Sequence, residues 1–75
     1  MGKDSKNNTA YPYDATSERY MKMFYDNLSE KDKRHYAAVE AEKLPFGGIS
    51  YIAKLLGCSR STIHEGIEEL KKTTL

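Results

Sequence analysis

Seventy-five residues make one domain at most, and a chain of that length buries only about 60% of the surface its unfolded form exposes, so the core must be small. With 12 basic against 11 acidic residues the formal charge is +1, which excludes recognition of an anionic partner by bulk charge and leaves only the placement of charges to do it. A single cysteine excludes an internal disulfide, and no stretch of roughly 20 apolar residues or signal-like h-region appears, so the expectation is a cytoplasmic protein without a membrane partner.

Residues 1–13 read MGKDSKNNTAYPY, polar, without helical period and carrying Pro12, and are expected to form a flexible tail ahead of a domain spanning 14–75. Asp14, Thr16 and Ser17 then offer N-cap oxygens. Tyr20, Met23, Phe24 and Leu28 follow at i, i+3, i+4 and i+8, which predicts a helix over about 17–27 with that stripe facing inward. Ser29 with Asp32 three residues on is close to a capping box, and strong helix formers run from there to Leu44, predicting a second helix over 30–44. Its apolar arc holds Tyr36, Ala37, Val39, Ala41 and Leu44. Glu40 sits within that arc and calls for a basic partner, Arg34 or Arg60.

Pro45 ends the second helix, Gly47 and Gly48 let the chain turn, and Phe46 is expected to pin that loop to the core. Ile49, Ile52, Ala53 and Leu56 at i, i+3, i+4 and i+7 predict a short third helix over 49–56. Gly57 stands just past it, suited to a left-handed C-terminal cap. Ser59 is a good N-cap for a fourth helix over 60–72, with Ile63, Ile67 and Leu70 on its inner face and Lys71 and Lys72 in its last turn. Gly66 costs about 1 kcal/mol inside a helix, which implies a close crossing against Ala37 or Ala38. The fold class is therefore all-α: a small bundle of about four helices ending in a helix-turn-helix.

Helix, Gly-x-Ser turn, helix, with Ala53 small, Gly57 at the corner and Ile63 plugging the angle, is the spacing of a DNA-binding helix-turn-helix. Ile52, Leu56 and Cys58 would face the earlier helices. Between Ile49 and His64 there is no acid, while Lys54 and Arg60 are positive. In such a module Arg60, Ser61, His64 and Glu65 point outward as base-edge candidates: Arg60 toward guanine, Ser61 toward several edges, His64 as donor or acceptor, Glu65 accepting from cytosine. Ser50, Lys54, Ser59 and Thr62 are candidates for phosphate contacts, and Tyr51, Lys31, Lys33 and Arg34 for assisting ones. Glu65, Glu68 and Glu69 argue against tight nonspecific binding. One cysteine and two scattered histidines form no metal site, and no nucleophile-base pair or paired carboxylates can be assembled, so neither cofactor nor catalysis is expected of these residues.

The stretch from Lys33 to Leu70 resembles the N-terminal region of the Rhodopirellula-type insertion-element (DDE) transposases. Three pieces carry the likeness: RHYAAVEA, FGGIS and GCSRSTIHEGIEEL. Pro45-Phe46 depart from the Gly-Tyr type pair of that family, and His64-Glu65 replace more basic residues. The resemblance implies a prokaryotic, nucleoid-associated DNA-binding head that recognises element ends, with cutting and joining carried by an RNase H-like domain beyond Leu75. Two other readings of the residues stay open, a transcriptional regulator with the same fold and a helical protein-interaction module.

Overall fold

The computed structural model describes residues 12–73, and the tail expected over 1–13 lies for the most part outside them, as do residues 74 and 75. Four helices follow one another: α1 Ala15–Asp26, α2 Glu30–Glu42, α3 Gly48–Leu56 and α4 Arg60–Thr73. The architecture is all-helical, and α2 is its centre, packed against α4 and α3 and touching α1, while α1 also closes over α3.

Three of the four helices start where a side chain supplies an acceptor, and α3 starts from Gly47 without one. Asp14 Oδ1 accepts from the Ser17 amide at 2.8 Å, which holds the Asp14 carboxyl below its ordinary range and begins α1 two residues earlier than the apolar period suggests. Ser29 Oγ accepts from the Asp32 amide at 3.2 Å and starts α2. Ser59 Oγ accepts from the Thr62 amide at 3.1 Å and starts α4. The second helix ends at Glu42 rather than Leu44, because Leu44 already turns back to donate to the Ala41 carbonyl at 3.2 Å ahead of Pro45.

Small residues let α2 occupy the middle. Ala37, Ala38 and Ala41 are all buried, and neighbouring backbones come close on both sides. A Cβ on Gly66 of α4 would lie 2.4 Å from the Arg34 carbonyl oxygen and 3.1 Å from Ala38 Cβ. This is the expected close crossing, with Arg34 as well as Ala38 beneath it. Around the seam, Ile52, Leu56 and Ile63 fill the core as its largest fully buried side chains.

Four expectations about packing are corrected. The stripe Tyr20, Met23 and Phe24 is exposed, and α1 instead buries Tyr25 with Met21 packed beside it. Tyr25 is selected because Cys58 lies against it, and the desolvation there pushes the Tyr25 hydroxyl up to about 12. Val39 is exposed too, since α3 and α4 occupy the alanine side of α2. Glu40 meets neither Arg34 nor Arg60 but its own neighbour Lys43, at 3.3 Å. Phe46 does not pin the loop: it stands fully in solvent.

Arg34 is bound elsewhere. Its Nε and Nη2 donate to the two oxygens of Glu69 at 3.2 Å each, and His35 Nε2 lies 2.9 Å from Glu69 Oε1, tying α2 to α4 beside Gly66. The Arg34 hydrogen bonds, then that of His35, hold the Glu69 carboxyl below its ordinary value of 4.5. A depressed carboxyl contributes stability that is fully present above the unfolded value and is lost as pH falls through the folded one. The stability gap between the native chain and Glu69→Gln, measured by urea unfolding, is therefore expected to shrink as pH drops below about 4.5; a gap independent of pH would remove this assignment.

Candidate nucleic-acid interface

The corner between α3 and α4 is set by Gly57, whose φ of +79° and ψ of +34° lie in the left-handed region that a Cβ disfavours. The amides of Gly57 and Cys58 both donate to the Ala53 carbonyl, at 2.9 and 3.0 Å, which closes α3 and sends the chain directly into the Ser59 cap. Three residues thus separate the helices. Cys58 half-buries against Tyr25, and its thiol is pushed up by desolvation, so it behaves as a small hydrophobe in the corner.

The turn fixes which side of α4 looks out. Ile63 is 0% exposed, and Gly66 and Ile67 are buried with it, whereas Arg60, Ser61, His64 and Glu65 are all exposed. On α3 the same split places Ile52, Ala53 and Leu56 inside and Ser50 and Lys54, one turn apart, outside. The two outer edges adjoin: Arg60 Nη1 donates to Ser50 Oγ at 3.4 Å. Arg60 and Ser50, read separately as a base and a phosphate candidate, are thus brought side by side.

Other candidates are placed differently. The Ser59 and Thr62 hydroxyls are 3.0 Å apart and engaged in the α4 cap, with Thr62 half-buried. The Tyr51 hydroxyl donates to the Glu18 carboxylate; burial, then that hydrogen bond, raises its pKa far above the usual phenol range, and Glu18 shares a cleft with Tyr51 and Lys54 that tempers the positive field there. Arg34 is committed to Glu69, and Lys33 lies over the Tyr25 ring at 5.4 Å with Glu30 at 3.8 Å, so both serve packing on α2. Lys31 is exposed.

Lys22 and Phe46 also join this surface, though neither is among the contacts expected from sequence. Lys22 of α1, paired with Asp26 at 2.8 Å, reaches the corner, its Nζ 3.9 Å from where a Cβ on Gly57 would stand. No local signal marks it, because 35 residues separate the two positions. Phe46 lines a groove of about 460 Å³ together with Ser50, Arg60 and His64, and Glu42 lies on the same groove. Among the described residues no cluster of His, Cys, Asp or Glu could hold a metal ion, and no helix is long and apolar enough to cross a membrane.

No protein-family model, curated protein or solved structure matches this chain.

Proposed function

We propose that this domain binds double-stranded DNA sequence-selectively, inserting the start of α4 into the major groove while the outer edge of α3 and the Gly57 corner meet the backbone. One observation carries the reading. The N-terminal edge of α4 is uncovered and presents Arg60, Ser61, His64 and Glu65 in a row, beside Ser50 and Lys54, while Ile63 anchors the opposite side at zero exposure. The exposed Arg60 guanidinium and Ser61 hydroxyl at the start of α4, beside the Ser50 hydroxyl of α3, suit base edges and phosphate oxygens. With the resemblance of Lys33–Leu70 to transposase N-terminal regions, the role is recognition of the ends of a mobile element, as the DNA-binding head of a larger enzyme; this part carries no catalysis and no cofactor. A transcriptional regulator would use the same surface.

Titrating the full chain with duplex DNA and following amide resonances is expected to perturb Ser50, Lys54 and Ser59 through Glu65 most. Affinity should fall with salt by a log-log slope of about −0.9 per phosphate neutralised. Arg60→Ala, which removes the guanidinium held beside Ser50, is expected to weaken binding about equally on all sequences and to lower the salt slope by about the share of one phosphate. A loss concentrated at one base pair would instead make Arg60 a base-edge contact, and absence of shifts at low salt would end the DNA reading.

A second reading has its own observation. Tyr20, Met23, Phe24 and Val39 stand exposed on the outer side of α1 and α2, with the Phe24 and Tyr36 rings edge-to-face at 5.1 Å, a surface suited to a protein partner. It lies on helices other than α3 and α4, so it adds to DNA binding instead of competing with it.

A further inference from the structure

Phe46 is 105% exposed, yet nothing about its setting is loose. It occupies the second position of a turn from Pro45 to Gly48, closed by the Gly48 amide donating to the Pro45 carbonyl at 3.0 Å. Gly47, at φ +89° and ψ −1°, takes the third position with the geometry of a type II turn, and Pro45 stiffens the entry. The turn is also held from behind. Gly48 is buried so tightly that a Cβ there would lie 2.7 Å from Leu44 Cβ and 3.0 Å from the Ala41 carbonyl oxygen. A fixed backbone therefore presents this ring outward.

The ring stands on a groove whose character changes across its width. Phe46, Pro45 and Ile49 supply apolar surface, whereas Ser50, Arg60 and His64 supply donors, with the Glu42 carboxylate also on the groove. Arg60 already donates to Ser50 and keeps further guanidinium N–H groups to offer. A matching occupant must place an apolar face a few ångströms from an anion. The deoxyribose-phosphate unit of a duplex does this: the sugar ring is largely C–H surface, and its phosphate is the acceptor a guanidinium and hydroxyl take in concert.

We infer that Phe46 is a DNA-contact residue that packs on a backbone deoxyribose beside the phosphate held by Arg60 and Ser50. The inference rests on the duplex-binding reading and adds to it a residue from outside the helix-turn-helix pair. It also fixes the kind of contact, apolar and independent of base identity, so Phe46 sets register on the duplex and does not read sequence.

The test compares the full chain with Phe46→Ala, Phe46→Leu and Arg60→Ala on a duplex enriched from a random pool, reading affinity, its salt dependence and the thermal midpoint. Phe46→Ala is expected to bind about five- to tenfold more weakly, by a similar factor on unrelated duplexes, with unchanged salt slope and midpoint. Phe46→Leu should retain most of the affinity, because it keeps apolar bulk. If the native chain binds and Phe46→Ala binds equally well, the inference fails and the DNA reading stands. A Phe46→Ala salt slope reduced as much as that of Arg60→Ala would also overturn it, since the ring would then act only by placing the guanidinium. If the native chain binds no duplex, the functional reading itself fails and the inference with it.

Discussion

Ile63→Ala is expected to destabilise the domain by about 2–5 kcal/mol, the usual range for truncating a fully buried isoleucine. The side chain is 0% exposed and belongs to one cluster with Ile52, Leu56, Ala37 and Ala38. The alanines cannot expand to refill the space, so the cavity term applies nearly in full. At roughly 0.05–0.15 kcal/mol per residue, a domain of this size has a total stability of about 3–10 kcal/mol. One substitution thus removes a large part of the whole, and a substantial unfolded fraction should appear in circular dichroism at ordinary temperature. Ile63→Val should cost only about 0.5–1.5 kcal/mol and keep a cooperative transition. The proposed DNA binding should decline in step with folding in both variants. An unchanged midpoint in the alanine variant would contradict the placement of this residue.

Gly66→Ala sets two effects of opposite sign against each other. Helix propensity alone favours alanine by about 1 kcal/mol at an interior position. The new methyl, however, would lie 2.4 Å from the Arg34 carbonyl oxygen and 3.0 Å from its carbon, and both are backbone atoms that cannot swing aside. The helices must part, and overpacking of this kind costs about 1–3 kcal/mol, with the backbone clash placing it at the upper end. The clash wins, and the midpoint should fall by about 4–8 °C for each net kcal/mol lost. Parting α2 from α4 there would also strain the Arg34–Glu69 pairing, so Gly66→Ala should blunt the acid sensitivity assigned to Glu69. A raised midpoint would mean that the seam is wider than described.

These two residues also show what the amino-acid string conveys and what it does not. The starts of α2 and α4 and the stop of α3 were readable because their causes are local: Ser29 and Ser59 cap through an amide three residues away, and Gly57 takes a backbone conformation that other residues avoid. The corner and the outward row on α4 follow from the same short-range rules. The burial of α1 was not readable. Met21, Tyr25 and Leu28 form a helical stripe as regular as Tyr20, Met23, Phe24 and Leu28, and only the presence of Cys58 and the rest of the core against Tyr25 chooses between them. Arg34 and Glu69 lie 35 positions apart, and no periodicity joins them. An aromatic near two glycines suggests burial, but the Pro45–Gly48 turn points Phe46 away from the chain. Short-range chemistry decides where helices begin and stop, and tertiary partners decide which sides they turn inward.

The glycines that touch α2 bear on how such a domain can change. Gly48 brings α3 down onto Ala41, and Gly66 brings α4 down onto Arg34 and Ala38, so both outer helices take their positions from a third. The three-residue corner is then a tether, and the angle between the two presenting edges is inherited from α2. Exposed side chains along the rim could therefore be exchanged one at a time without resetting the frame, whereas a bulkier residue at Ala38 or Ala41 would tilt the whole rim at once.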